Sequence, residues 1–373
     1  MLRFMSKISR KKFLKSAGTL GVMGIVAGSC ANIEREKQNN FAEKPEYEWK
    51  IVTTWPPNFP VVGEGCNLLA DWVYKMSGGR MKISVYGSGE LVPGLECFDA
   101  VSMGAVEMGH GAGYYWVGKF PASQFFTTVP FGMNAQEFNA WMYGGNGMSL
   151  WKEVYEDYNL VPMPAGNTGF QMGGWFNKEI NTIADLKGLK MRIPGLGGKV
   201  LAKAGGTPVV SAGSEIYTNL ERGVIDATEW IGPYHDYLMG FHEIAKYYYT
   251  PGWHEPQACL ELIINKKKFD SLPEDLQVII ETAAARSNMW MLSQFVAKNN
   301  EYLQKIKSES DVELRTFPDE VLNALKGYTE EAITEIIDRD DVSRKVYEDQ
   351  KQFRKGVSQW SQISEKMFFD KLI

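Results

Sequence analysis

The sequence predicts an α/β protein large enough for two packed cores. Strand-like and helix-like segments alternate along most of the chain, which is typical of α/β folds with largely parallel sheets. Roughly 325 residues follow a leader-like N-terminus, which is more than one average domain contains. A hydrophobic content of 44% and a charged content of 23% are those of an ordinary globular protein.

The alternation begins with two strands on either side of an amphipathic helix. Residues 49–54 are strand-like and stop before two prolines, and residues 81–86 alternate between apolar and polar side chains. Between them, residues 62–76 place apolar side chains at helical spacing, and a glycine pair follows. A short helix at 95–102 and a strand at 106–110 continue the pattern.

Shorter elements follow, and long helices complete the chain. We expect a strand at 188–193 that ends at the glycine-rich loop 194–198, and another strand at 258–265. Helical spacing predicts helices at 199–204, 214–222, 276–299, 320–337 and 342–368. The last of these is apolar on one face and charged on the other, so it either packs on its own domain or docks on a partner chain.

The N-terminal 30 residues have the order of an export signal. A basic stretch at 1–12 precedes an apolar run at 20–27 and small residues that end at Cys30. The apolar run is too short to span a membrane. We therefore predict a periplasmic or otherwise extracytoplasmic protein.

Two details of this leader leave alternatives open. Residues 27–30 (AGSC) resemble a bacterial lipobox, which predicts membrane anchoring through a lipidated Cys30 and a polar tether at 31–46. The alternative is cleavage nearby without lipidation. Residues 9–15 (SRKKFLK) resemble a twin-arginine motif in which Lys replaces the second Arg, so the export route stays open.

Charge and cysteine content give no support to a nucleic-acid-binding protein or to a cysteine metal site. A formal net charge of −5, with no basic face beyond residues 266–268, gives no support to nucleic-acid binding. Cys66, Cys97 and Cys259 are odd in number, and their spacing matches no metal box. A Cys66–Cys97 disulfide could form in an oxidising compartment.

Known catalytic motifs are absent from the sequence. It contains no phosphate-binding loop, nucleophile elbow or His-Glu-x-x-His motif. Residues 109–113 (GHGAG) are predicted to form a tight turn. His235 and His242 could share one helix face, but the sequence supplies no further metal ligands, so we expect them to be exposed to solvent. A secreted enzyme remains as an alternative only.

Arg192 is the most informative single residue. It closes the predicted strand at 188–193, beside a flexible loop. A guanidinium can hold a carboxylate through two parallel hydrogen bonds in a geometry that Lys cannot match. A strand-end Arg is also often merely solvated. Arg192 is therefore a candidate anion-binding group.

Four blocks of sequence, in order along the chain, carry a family resemblance. They are residues 87–96 (GSGELVPGLE), 98–109 (FDAVSMGAVEMG), 183–194 (IADLKGLKMRIP) and 220–230 (LERGVIDATEW). These blocks resemble the DctP-type extracytoplasmic solute receptors of tripartite ATP-independent periplasmic (TRAP) transporters, and the likeness covers the chain from about residue 47. Residues 169–175 (GFQMGGW), 228–230 (TEW) and 247–256 (YYYTPGWHEP) resemble the branch that binds 2-oxo or 2-hydroxy monocarboxylates, such as pyruvate or lactate, with a metal ion.

The resemblance implies a two-domain, periplasmic-binding-protein-like fold with a hinge, a central cleft and long C-terminal helices. Domain I would comprise residues 47–168 and 257–300, and domain II residues 169–256. Residues 301–373 would form helices that pack across both domains. Some relatives of this branch exchange a long C-terminal helix, which implies a homodimer as one outcome.

The resemblance also implies a set of site residues. Arg192 matches the carboxylate-binding Arg, and Gln171 and Glu229 match the pair that ligates the metal, with the Trp230 carbonyl as a third ligand. These are hard oxygen donors, suited to Na⁺ or Ca²⁺. Glu255 is a further candidate, unless it only caps a turn.

Other residues are candidates for contacts with the rest of the ligand. Trp55, Tyr114, Tyr115 and Trp116 follow predicted strands and would cover the ligand's tail, although each could equally belong to the core. Asn167 is a candidate polar contact. The predicted function is delivery of a small organic acid to the membrane permease subunits, and the alternative is a larger or sugar-derived carboxylate bound without metal.

Overall fold

Two mixed β-sheets organise the chain. The computed structural model describes residues 41–373; the predicted export signal, Cys30 and residues 31–40 of the predicted tether lie outside the described residues. The first sheet consists of β1 (Tyr47–Thr53), β2 (Met81–Tyr86), β3 (Met108–Gly111), β4 (Leu160–Asn167) and β10 (Cys259–Asn265). The second sheet consists of β5 (Gly174–Phe176), β6 (Lys190–Arg192), β7 (Thr207–Val209), β8 (Ala227–Thr228), β9 (Tyr247–Thr250) and β11 (Glu313–Thr316).

Each sheet is parallel except for one reversed strand. The first sheet has the order β2-β1-β3-β10-β4, and β10 is antiparallel to both of its neighbours. The second has the order β11-β9-β5-β8-β6-β7, and β5 is antiparallel to β9 and β8. The α/β prediction is confirmed. The sheets are largely parallel as expected. The reversal of β5 and β10 was not predicted, because the direction of a strand depends on the path of the chain and not on its local sequence.

Two crossing segments connect the sheets. The first crossing segment, residues 168–173, leads from β4 to β5, and the second crossing segment, residues 251–258, leads from β9 back to β10. The backbone N–H of Thr168 donates to the Ala258 carbonyl at 3.1 Å, and the Ala258 N–H donates to Thr168 Oγ1 at 3.0 Å. The two reversed strands are thus the ones that the crossing segments enter.

The backbones of the two crossing segments are in close contact at Gly252. A Cβ atom at this position would lie 2.2 Å from the carbonyl oxygen of Gln171. No side chain fits there unless the two crossing segments move apart. Their spacing is therefore set by backbone contact.

The predicted helices occur in the predicted order. The helix predicted at 276–299 is longer than expected, the one predicted at 342–368 is divided at Ser364, and the helices within 135–156, 233–244 and 266–270 were not predicted. The helices are α1 (Val62–Met76), α2 (Cys97–Ser102), α3 (Ala135–Gly144), α4 (Gly147–Glu156), α5 (Gly195–Lys203), α6 (Gly213–Glu221), α7 (Pro233–Leu238), α8 (Phe241–Ile244), α9 (Lys266–Asp270), α10 (Glu274–Glu309), α11 (Asp319–Ile337), α12 (Asp341–Ile363) and α13 (Glu365–Lys371). Helix α10 packs against β4 and α1 beside the first sheet and against α7 beside the second. In residues 41–373 no helix combines the length and apolarity that a membrane span requires.

The C-terminal region differs from an all-helical prediction. Helix α11 packs against α5, and α12 packs against α3 and α4, so these helices contact elements beside both sheets. Between α10 and α11, however, the four residues of β11 pair in parallel with β9 at the edge of the second sheet. So short an edge strand carries too little periodicity to be recognised in the sequence.

Two predictions are wrong: the Cys66–Cys97 disulfide and the exposure of His235 to solvent. Cys66, Cys97 and Cys259 are buried free thiols, so the Cys66–Cys97 disulfide is not formed. His235 is fully buried and not exposed, and its Nε2 lies 2.7 Å from the carbonyl oxygen of Pro60. Burial lowers the pKa of His235 to about 3, so the ring is neutral.

A buried carboxylate lies on β10. Glu261 accepts hydrogen bonds from the indole N–H of Trp116 and from the Tyr155 hydroxyl, the latter at 2.8 Å. Trp116, a candidate for covering the ligand, thus belongs to the core beside the first sheet. Glu261 is fully buried, and this burial raises its pKa to about 7.

Asp236 of α7 has the same kind of environment beside the second sheet. It accepts hydrogen bonds from Trp175 Nε1 at 2.9 Å and from the Tyr248 hydroxyl at 2.6 Å. The rings of Trp175 and Tyr248 stack with centroids 3.9 Å apart. Burial raises the pKa of Asp236 to about 7.

The raised pKa of Glu261 makes the stability of the fold depend on pH. Between pH of about 4.3, where the side chain titrates in the unfolded chain, and about 7, the folded state holds a proton that the unfolded state has released. This contribution to stability is therefore full at low pH and is lost as pH rises. Glu261→Gln cannot ionise, so its stability lacks this loss. Between about pH 5 and pH 8 we expect its free energy of unfolding, measured with urea, to rise by up to about 3 kcal/mol relative to that of the wild type. Exposed Glu348→Gln is the control, and parallel pH curves for Glu261→Gln and the wild type would contradict the assignment.

Candidate functional site

The candidate site forms where two neighbouring strands of the second sheet end. Arg192 is the last residue of β6, and Glu229 follows β8 directly. These strands are parallel, with Arg192 paired in register with Thr228, and the Glu229 N–H donates to the Arg192 carbonyl at 3.2 Å. Adjacent parallel strands therefore place both side chains at the same edge of the sheet.

Arg192 and Glu229 form an ion pair inside the protein. Arg192 Nη1 contacts Glu229 Oε1 and also donates to the Glu229 carbonyl at 3.3 Å. Each side chain is only 1% exposed. Charges so deeply buried are tolerated when they are paired and hydrogen-bonded. The bland alternative of a solvated surface Arg is thereby excluded, but the direct pairing with Glu229 is a feature that the sequence did not predict.

The crossing segments bring two more candidates to this pair. Gln171, on the first crossing segment, donates its Nε2–H to Glu255 Oε2 on the second at 2.7 Å and to Thr168 Oγ1 at 3.0 Å. Glu255 therefore contacts Gln171 and does not cap a turn. Among the described residues, the buried Gln171 Oε1 has no hydrogen-bond partner. An acceptor of this kind fits a site for a cation.

His254 is a site residue that the sequence analysis missed. Its Nε2 lies 3.3 Å from Glu229 Oε2, and the ring is 1% exposed. One oxygen each of Glu229 and Glu255 and one ring nitrogen of His254 lie within 4.8 Å of one another. The only signal for His254 in the sequence was its place beside Glu255 in residues 247–256.

Electrostatics make this cluster suitable for a cation. Burial and the nearby Glu229 carboxylate raise the pKa of Glu255 well above its usual range, and Arg192 opposes that shift. Glu229 contacts the guanidinium directly, whereas Glu255 is influenced by its charge without a direct contact. Oxygen ligands from Gln171, Glu229 and Glu255 are those that Na⁺ and Ca²⁺ prefer, so the residues present fit the expected metal.

An aromatic wall encloses the cluster. The Arg192 guanidinium lies 5.3 Å from the centroid of the Trp230 ring, and Arg192 Nη2 lies 3.4 Å from the Tyr115 hydroxyl. The rings of Tyr114 and Tyr115 meet edge to face at 4.8 Å. Trp55 packs edge-on against Trp230 at 6.5 Å. These four aromatic residues are therefore neighbours of the site, unlike Trp116.

Asn167 is occupied by contacts within the protein. Its Nδ2 donates to Gln257 Oε1 at 2.6 Å, and its Oδ1 accepts from the Gly169 N–H at 2.9 Å. Gln257 in turn donates to the Thr127 carbonyl at 2.9 Å. Asn167 thus ties the two crossing segments together, a contact that its sequence position did not reveal.

Comparisons with known proteins identify the family of this chain. Residues 51–340 match DctP, the family described as bacterial extracellular solute-binding protein, family 7. A monocarboxylate 2-oxoacid-binding periplasmic protein of Nostoc sp. is 42% identical over 355 residues, which cover 94% of this chain and 97% of the relative.

Two solved structures have the same fold. A TRAP periplasmic solute-binding protein of Pseudoalteromonas atlantica, with bound sodium and pyruvate, is 45% identical and matches with a TM-score of 0.85. A second, from Colwellia psychrerythraea with bound calcium and pyruvate, is 44% identical with the same TM-score. Each match covers 87% of this chain and 99% of the relative. The chain belongs to the DctP family of TRAP solute-binding proteins.

Proposed function

We propose that this protein is the extracytoplasmic receptor of a TRAP transporter for a small 2-oxo monocarboxylate such as pyruvate, bound together with Na⁺ or Ca²⁺. The observation that carries the proposal is the buried cluster in which Arg192 meets Glu229, beside Gln171 and Glu255. The relatives with bound pyruvate and either sodium or calcium support this ligand class. A 2-hydroxy acid such as lactate has the same head group and belongs to the same class.

Arg192 would bind the carboxylate of the ligand. Its Nε has no hydrogen-bond partner among the described residues, and its Nη2 reaches Tyr115 at a long 3.4 Å. The guanidinium therefore has donors to offer beyond its contact with Glu229. A carboxylate is costly to bury without such a partner. Tyr115 would keep Arg192 oriented towards the cleft.

The cation would be bound by side-chain oxygens of Gln171, Glu229 and Glu255 and by the Trp230 carbonyl. The cation would supply the positive charge that lets two carboxylates and an anionic ligand share one buried site. Gln171 Oε1 has no hydrogen-bond partner among the described residues, so its lone pairs are available to the cation. Without a cation, Glu229 and the ligand's carboxylate would compete for Arg192.

The aromatic wall supports a small ligand. Trp55, Tyr114 and Trp230 are each less than a tenth exposed, so they leave the cluster shielded from water. Asn167 stays a proposed polar contact, for which its amide would have to exchange Gln257 or Gly169 for the ligand. A larger sugar-derived acid would have to displace this wall.

The role is capture and delivery, without chemical change of the ligand. Family membership places the protein outside the cytoplasm as a solute receptor. We assign it no reaction, and the two crossing segments would serve as the hinge about which the two sheets close. The closed form would then be presented to the membrane permease.

Replacing Arg192 tests its assignment. Arg192→Lys keeps the positive charge beside buried Glu229 but loses the planar fork. We expect pyruvate affinity to fall about ten- to a hundredfold, measured by calorimetry with Ca²⁺ present. Arg315→Lys, on the exposed edge strand β11, should leave affinity unchanged. Wild-type affinity in Arg192→Lys would remove Arg192 from the site.

Removing the metal tests the cation's role. In the wild type, chelation of Ca²⁺ in Na⁺-free buffer should weaken pyruvate binding at least about tenfold, because the carboxylates are then left uncompensated. Glu229→Gln should bind weakly with or without metal. If the wild type bound pyruvate equally tightly with and without metal, the proposal would be contradicted. Tighter binding of sugar acids than of pyruvate in the absence of metal would favour the alternative ligand class. Appearance of a product from bound acid would favour an enzyme.

We also propose a homodimer through the C-terminal helices. Four apolar side chains near the end of the chain are each at least 60% exposed: Trp360, Ile363, Phe369 and Leu372. Burying them against a second copy would be favourable by the hydrophobic effect. Trp360→Ser with Ile363→Ser should halve the mass found by light scattering at micromolar concentration. A wild-type monomer under these conditions would contradict the proposal.

A further inference from the structure

His254 faces the same space as the proposed cation ligands. It lies between Trp253 and Glu255 on the second crossing segment, and its Nε2 is 3.3 Å from Glu229 Oε2. Its Nδ1 is buried without a hydrogen-bond partner among the described residues. The proposed function gives this imidazole no role, although it is as deeply buried as Arg192 and Glu229.

The spacing of His254 and Glu229 is that of two neighbouring ligands of one metal. With metal–ligand bonds of about 2.0–2.2 Å, adjacent ligand atoms of a coordination shell are about 3 Å apart. The distance of 3.3 Å between Nε2 and Oε2 is close to that value. Glu255 completes the group within 4.8 Å. Gln171 Oε1 has no hydrogen-bond partner among the described residues, on a side chain that is only 2% exposed, and is an independent sign that this space suits a cation.

The charges around His254 favour a divalent cation. When ionised, Glu229 and Glu255 with a bound monocarboxylate outweigh Arg192 by two negative charges, which a divalent ion neutralises and Na⁺ does not. Imidazole nitrogen adds preference among divalent ions, because it suits first-row transition metals better than Ca²⁺.

We propose that His254 Nε2 is a metal ligand, and that this site therefore accepts first-row divalent cations such as Co²⁺, Mn²⁺ or Zn²⁺ in addition to Na⁺ and Ca²⁺. The inference rests on the proposed location of the cation at Gln171, Glu229 and Glu255. It extends the ligand set from oxygen donors to a mixed nitrogen and oxygen set. The class of cation, and not the organic acid, is what His254 would select.

Cobalt provides a direct probe, because its visible absorption reports its ligands. Metal-free protein is titrated with Co²⁺ and, separately, with Ca²⁺ in the presence of pyruvate. For His254→Gln we expect Co²⁺ affinity to fall about ten- to a hundredfold with a shifted absorption band. Ca²⁺-dependent pyruvate affinity should change less than about threefold. His242→Gln, a substitution away from the site, is the matched control and should alter neither.

Two results would overturn the inference while leaving the proposed function intact. One is a Co²⁺ band and affinity that His254→Gln leaves unchanged. The other is an equal loss of Co²⁺ and Ca²⁺ affinity, which would mean that His254 only positions Glu229. Failure of the wild type to bind pyruvate with Ca²⁺ would instead contradict the proposed function, and the Co²⁺ titration of the wild type and of His254→Gln would still decide the role of His254.

Discussion

The buried Arg192–Glu229 ion pair is the interaction on which the site depends. Two charges that are each 1% exposed persist inside a protein only when their partners are fixed. The parallel pairing of β6 and β8 fixes them, because it places residue 192 beside residues 228 and 229 at the same strand ends. Removing either charge would leave the other without compensation, so the fold of the second sheet and the chemistry of the site cannot be varied separately.

The reversed strands β5 and β10 explain how residues from distant parts of the sequence reach this pair. Each sheet receives one strand from a crossing segment, and the two crossing segments carry Gln171 on one side and His254 and Glu255 on the other. Thr168 and Asn167 bond the segments together. The cation donors thus lie where the chain passes between the sheets, and the aromatic residues Tyr114 and Tyr115 approach from beside the first sheet.

Much of the fold could be predicted from sequence, since helices such as α1 and strands such as β2 have clear periodicity within one segment. Gln171, Glu229 and Glu255 were found only through the family blocks, since nothing in their local spacing indicates a shared site. Arg192 was a candidate from its place at the end of a predicted strand, but only the family blocks gave it partners. The Arg192–Glu229 contact could not be predicted, because it depends on the register of β6 against β8. The burial of His254 and of His235 could not be predicted either, because a single His has no periodicity and tertiary packing alone decides its exposure.

The close approach at Gly252 has a mechanical consequence. Because even a methyl group at residue 252 would collide with the Gln171 carbonyl, the two crossing segments would have to bend together, as one hinge and not as two independent ones. Gln171, His254 and Glu255 would then keep their mutual distances if the two sheets moved relative to each other. Three of the proposed cation ligands would thus be in place together, and Glu229, at the end of β8, would complete the set.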